Sequence, residues 1–134
     1  MKNWFLLSAL LASSVPLPVF AQQAHPTHTV TILPGYVCMA LNLPEDEMMN
    51  PNVEVPIFSG PTSASTQIGR ASSIVIVAFP LVSSNGYARV LHLNGKPGWI
   101  SEKFIKAWSS PGGTGDRCYP ALLSNGRIGF EFHK

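Results

Sequence analysis

An Asn-Gly pair between two runs of β-branched and aromatic residues constrains the fold of this chain most. The pair at positions 94–95 separates residues 87–93 from residues 96–100. Asn and Gly tolerate the positive φ angles of a tight two-residue hairpin turn, in which both central residues need them. A second Asn-Gly pair, at positions 125–126, lies between two further runs. The sequence therefore predicts two β-hairpins.

The other apolar runs are also short and end at turn-forming residues. Residues 74–79 form the densest β-branched run, which ends at Pro80, and residues 36–43 and 53–58 predict two more strands. No amphipathic helix of useful length appears, and residues 22–35 form a polar tail. Many short strands at this spacing predict an all-β barrel or roll.

Residues 1–21 have the layout of a cleavable signal peptide. Lys2 precedes a short apolar run, Pro16 and Pro18 interrupt the segment, and Ala21 ends it. The run is too short to span a bilayer, and no later stretch is apolar enough to do so. We therefore expect export to the periplasm or beyond the cell, with no integral membrane segment after cleavage.

Charge and composition exclude some classes of partner. The net charge of the 134-residue chain is +2 and only 12% of its residues are charged. This balance provides no basic footprint for nucleic acid. The chain after residue 21 has the length of one ordinary domain.

The two cysteines, Cys38 and Cys118, lie near opposite ends of the mature chain. In an oxidising compartment an even count predicts a disulfide. A zinc site is the poorer alternative because no His or carboxylate pattern accompanies them, and a reactive thiol lacks the C-x-x-C motif. We expect one structural disulfide.

Residues 53–108 carry an ordered set of short motifs. They are Ser59-Gly60-Pro61-Thr62, Ile68-Gly69, residues 74–77, Gly86-Tyr87-Ala88-Arg89-Val90 and Asn94-Gly95-Lys96-Pro97-Gly98-Trp99-Ile100. In their order and spacing these motifs resemble a bacterial SH3-like (SH3b) domain. Two positions depart from the family pattern, because Phe58 stands where many members carry Arg and Ser72-Ser73 replace a Gly-containing turn.

The resemblance implies a small, partly open five-stranded barrel over residues 53–108. Residues 22–52 would add an N-terminal extension with the first strand, and residues 109–134 a C-terminal hairpin packed on the barrel. The disulfide would join these flanks into a cover, and the sequence leaves open whether this cover closes the family's groove. Family members commonly bind cell-wall components or protein segments. The resemblance thus implies a non-catalytic module that recognises a peptidoglycan peptide or an envelope protein segment.

Four aromatic residues are candidates for a ligand groove: Tyr87, Trp99, Phe58 and Trp108. Aromatic rings give a large contact area at recognition surfaces. The alternative is that they fill the core. Because tryptophan is usually highly buried, the core is favoured for Trp99. For Tyr87 and Trp108 the sequence leaves both possibilities open.

An acidic cluster, Glu45-Asp46-Glu47, lies between two prolines and predicts a surface loop or a single helical turn. Consecutive carboxylates do not face each other across a bond, as hydrolysis requires, and the calcium-loop pattern is missing. No nucleophile elbow, metal cluster or cofactor motif appears, so we expect neither an enzyme nor a bound metal or cofactor. The alternative function is a secreted inhibitor or effector that blocks a partner enzyme through this loop.

Overall fold

The computed structural model describes residues 14–18 and 25–134. The signal peptide predicted over residues 1–21 lies outside this part of the chain except for residues 14–18, which are exposed and have no regular secondary structure. The described residues form one sheet of eight strands and one of three. The strands are β1 (Thr29–Ile32), β2 (Tyr36–Leu41), β3 (Pro56–Phe58), β4 (Gln67–Arg70), β5 (Ile74–Ala78), β6 (Ser83–Ser84), β7 (Tyr87–Leu91), β8 (Pro97–Ser101), β9 (Ile105–Ala107), β10 (Arg117–Leu123) and β11 (Ile128–His133).

Helical structure in the described residues amounts to three short turns. Helix α1 spans Glu45–Met48, and two 3₁₀ turns span Glu102–Phe104 and Pro111–Gly113. Every strand pairing is antiparallel. The predicted all-β class is therefore confirmed.

The larger sheet is open, with the strand order β4-β3-β8-β7-β5-β2-β9 and β6 attached to β7. Strand β2 lies between β5 and β9, because Met39 is opposite both Val75 and Ala107. We expected β2 to belong to the N-terminal extension, because short sequence patterns do not show which distant strands a strand will pair with. Its pairing makes it an interior strand of the larger sheet.

Both predicted hairpins are present, β7–β8 and β10–β11, but their turns differ from the expected type. Only the glycines have positive φ, 83° at Gly95 and 80° at Gly126. The side chains of Asn94 and Asn125 instead accept the N–H two residues onward, at distances of 2.8 and 3.0 Å. Such Asx turns need no positive φ at Asn. The turn with two positive φ angles is Asn85-Gly86, between β6 and β7.

The inner face of the larger sheet forms the core. The buried residues of this cluster come from five strands and the flanking loop. Residues that are opposite each other in the register share a face of the sheet, as Val77 and Val90 do. The cluster comprises Leu41, Val55, Ile57, Val75, Val77, Ala88, Val90 and Ile100.

The outer face is covered at one end by the three-stranded sheet. Cys38 on β2 is opposite Ile76 on β5, so both side chains point outward. Cys38 forms the predicted disulfide with Cys118 on β10, with their Cα atoms 5.9 Å apart. Ile76 is only 1% exposed, so the small sheet covers this end. Its third strand, β1, lies within the segment that we expected to be an extended tail, and pairs with β10.

Candidate functional site

Three of the four predicted groove residues meet on the outer face of β3, β8 and β7. Phe58 is opposite Trp99, and Trp99 is opposite Arg89. Tyr87 precedes Arg89 by two residues on β7, so the pleat places both on the same face. We call Phe58, Tyr87 and Trp99 the aromatic strip.

The rings of the strip are half-buried and contact one another or Arg89. The centroids of Phe58 and Tyr87 are 6.1 Å apart in an edge-to-face arrangement, with an interplanar angle of 75°. The guanidinium carbon of Arg89 lies 5.3 Å from the centroid of the Trp99 ring. Both contacts are of the kinds that attract aromatic rings to rings and to cations. Each ring is half-buried, so part of its surface is in contact with solvent.

Trp99 does not fill the core, so the burial expected for it is wrong. Its neighbours Gly98 and Ile100 are the residues of β8 that point inward, and both are buried. Period-two alternation therefore forces the indole outward. The alternation of side chains along β8 places Trp99 on the face opposite Gly98 and Ile100. The sequence alone did not show which of these two faces points to the core.

Gly98 explains the close approach of β8 to its neighbours. A Cβ at this position would lie 2.6 Å from Cγ2 of Ile57 and 2.9 Å from Cδ1 of Ile68. Real Cβ contacts are not that short, so only glycine fits without a shift. The Gly98-Trp99 pair thus places a bare backbone on the core side and a ring on the solvent side.

Arg89 has no acidic partner within the described part of the chain. The ion pair found among these residues joins His133 to Glu131, at 3.5 Å. Glu102, the carboxylate near the start of β7, instead accepts a hydrogen bond from the hydroxyl of Ser83. The aromatic strip therefore lies beside a cation, Arg89, whose charge no carboxylate of the described residues neutralises.

Two loops border the strip. The amide of Asn85 donates a hydrogen bond to the Pro61 carbonyl at 3.2 Å. This bond joins the β6–β7 turn to the loop between β3 and β4, which we call the Gly-Pro loop. The Gly-Pro loop is itself closed by Ser65, whose hydroxyl donates to the carbonyl of Gly60 at 2.9 Å and of Thr62 at 2.6 Å. Hydrogen bonds therefore hold both of these loops in place.

An exposed apolar loop, which no sequence motif indicated, lies beside Arg89. Phe79, Leu81 and Val82 are 64%, 54% and 49% exposed. The Val82 carbonyl accepts the backbone N–H of Arg89 at 2.9 Å, so the loop is anchored beside the strip. The sequence showed only that Pro80 ends a strand. We call residues 79–82 the apolar loop.

The remaining candidates lie elsewhere. Trp108, the fourth predicted groove residue, contacts Phe132 of the C-terminal hairpin, with ring centroids 5.8 Å apart. Glu45, Asp46 and Glu47 form the exposed turn α1, as the sequence predicted, and the Met49 N–H donates to the Glu45 carbonyl at 3.1 Å.

The described residues contain no group of three or more His, Cys, Asp or Glu side chains arranged to hold a metal ion. Within residues 14–18 and 25–134, no helix has the length and apolar character needed to cross a membrane. The disulfide fits an oxidising compartment.

Comparison of the chain with protein-family models, with curated proteins and with solved structures found no match.

Proposed function

We propose that this protein is an exported, non-catalytic binding module of the SH3-like type that docks an extended peptide on the aromatic strip. The peptide belongs to the cell wall or to an envelope protein. The observation that carries the proposal is the strip itself, in which three half-buried rings from three strands share one open face with Arg89. Aromatic and Arg side chains are the residues that most often anchor binding interfaces.

The strand order supports the SH3-like class. Strands β5, β7 and β8 form a meander, and β2 pairs with both β5 and β9. The motifs of the resemblance lie on β4, β5, β7 and β8 and in the loops beside them, and β3, β8, β7 and β5 are consecutive neighbours in the larger sheet. The β3–β4 hairpin lies in the long connection between β2 and β5.

The location of the cover also supports a free site. The small sheet covers the β2–β5 end of the outer face, where Ile76 is buried, whereas the strip lies at the β7–β8–β3 end. The half-exposed rings of Tyr87 and Trp99 support an accessible strip. Export is supported by the layout of residues 1–21 and by the disulfide.

Arg89 defines the chemistry of the ligand. A guanidinium that lies on an indole and has no protein carboxylate retains its donors for an incoming carboxylate. The apolar loop beside it supplies Phe79 and Leu81 for an apolar side chain. The ligand is accordingly a peptide with a free carboxylate and apolar side chains.

The test is a titration of the mature protein with soluble peptidoglycan stem peptides, measured by calorimetry. We expect Tyr87→Ala to weaken binding about tenfold or more, as loss of an interface anchor does. Arg89→Leu should remove the preference for a free carboxylate over its amide. Tyr119→Ala is the matched control, because Tyr119 is a half-buried strand tyrosine that stacks on His133 in the other sheet.

If the stem peptides do not bind, cross-linking in envelope extracts, with the Tyr87→Ala and Tyr119→Ala variants beside the wild type, tests the envelope-protein arm. Equal binding or cross-linking by the wild type and Tyr87→Ala, in whichever arm gives a ligand, contradicts the proposal. So does the absence of a ligand in both arms.

A second candidate function is inhibition of a partner enzyme through α1. It is favoured by three exposed carboxylates on a hydrogen-bonded turn, followed by Met49, which is 81% exposed. Replacing Glu45, Asp46 and Glu47 together with Ala separates the two functions. A peptide-binding module retains its ligand after this change, and an inhibitor that acts through the turn loses its target.

A further inference from the structure

A cleft that is separate from the aromatic strip lies beneath the loop that joins β9 to β10. It has a volume of about 290 Å³, and its walls are mainly apolar. Trp108 and Phe132 form the aromatic wall, with ring planes tilted by 34°. Its lining residues are Trp108, Ser110, Pro111, Thr114, Asp116 and Phe132.

The loop over this cleft is held in place by its own hydrogen bonds. The Ser110 hydroxyl accepts the N–H of Gly115 at 3.0 Å, and the Ser110 carbonyl accepts the N–H of Gly113 at 3.2 Å. Gly113 and Gly115 have φ angles of 65° and 78°, which side-chain-bearing residues rarely adopt. The glycines therefore let the chain curl tightly while Ser110 fixes the curl.

Asp116 is the one ionisable side chain of the lining. Its Oδ2 atom accepts a hydrogen bond from the Thr114 hydroxyl at 3.0 Å, which orients the carboxylate. Within the described residues Oδ1 receives no donor, and no Lys, Arg or His nitrogen lies within ion-pair distance of Asp116. Arg117, the next residue, is exposed on β10 opposite His133.

We propose that this cleft is a binding site for the alkylammonium end of a lysine-type side chain. Aromatic faces attract cations, and the attraction grows when the cation is partly desolvated. The carboxylate of Asp116 supplies the opposite charge, and the apolar walls accept the methylene stem. The cleft shares no residue with the aromatic strip, so its test does not depend on the proposed function.

The test compares two capped amino acids of matched shape. N-acetyl-lysine N-methylamide carries the ammonium group, and N-acetyl-norleucine N-methylamide has a similar apolar stem without it. Both are titrated into the mature protein and followed by the NMR signal of the Trp108 indole N–H. We expect the lysine probe to bind about five- to tenfold more tightly, in the range of an aromatic contact with a desolvated cation.

Asp116→Asn keeps the shape of the side chain and removes its charge, so it should lower the lysine affinity toward that of norleucine and leave only the share that the aromatic rings contribute. Asp46→Asn, on the exposed turn α1, is the matched control and should change neither affinity. Equal binding of the two probes by the wild type, or no binding of either, overturns the proposal. Because that comparison uses the wild type alone, it does not depend on the folding of a variant.

Discussion

The bare backbone at position 98 sets how closely β8 approaches β3 and β4. Ile57 and Ile68 occupy the space that a side chain would need, and Gly98 is buried. Because successive side chains of a strand point to opposite faces, the inward position of Gly98 places Trp99 on the outer face. One glycine therefore serves both the core and the aromatic strip.

Gly98→Ala should destabilise the fold by about 1–3 kcal/mol, because an extra methyl group in a packed core forces its neighbours to move. Gly60→Ala is the matched control. A Cβ at position 60 would lie 3.4 Å from Cβ of Ser65, at the edge of ordinary contact, and Gly60 has no positive φ. Urea unfolding of both variants measures the difference. Equal stability of the two variants would show that β8 has room to move.

At the scale of elements, three Asn-Gly turns use the same two residues in different ways. At Asn85-Gly86 both residues are left-handed, with φ of 51° and 76°. At Asn94-Gly95 and Asn125-Gly126 the asparagine closes an Asx turn and only the glycine is left-handed. The role of Asn thus depends on the strands that each turn connects.

The turns differ in what a substitution at Asn costs. Asn85→Ala and Asn85→Gly both lose the side-chain hydrogen bond to the Pro61 carbonyl, and Asn85→Ala should be less stable than Asn85→Gly by about 1–2 kcal/mol, because alanine is strained at a left-handed position and glycine is not. Asn94→Ala loses one side-chain hydrogen bond to the Lys96 N–H and should cost about 1 kcal/mol or less. Thermal unfolding of the three variants checks the order. The account of the turns fails if Asn85→Gly is as damaging as Asn85→Ala.

At the scale of the whole molecule, local patterns predicted more than long-range ones. The hairpins, the exposed turn α1 and the disulfide follow from short segments or from the count of cysteines. The position of β2 between β5 and β9 does not follow from a local pattern, because the pairing of strands that are distant in sequence is determined by tertiary packing. The contact of Trp108 with Phe132 also joins residues that are distant in sequence, and no local pattern indicates it.

The outer face of the larger sheet is divided between two uses. The disulfide-linked small sheet covers Cys38 and Ile76, and the aromatic strip remains half-exposed at the other end. If the cover is a stabilising element and the strip a binding element, the two can be separated by experiment.

Replacing Cys38 and Cys118 together with Ser is that experiment. The disulfide joins residues 80 positions apart. Opening a loop of that size should cost about 4–5 kcal/mol of unfolding free energy in the chain-entropy model. Hydrogen exchange should quicken first in β5, which loses its cover over Ile76, while β8 stays protected. Under conditions where the variant is folded, its peptide affinity should match the wild type, because the disulfide joins β2 to β10 whereas the strip lies on β3, β7 and β8. A variant that is stable yet loses the peptide would place the small sheet in the binding site.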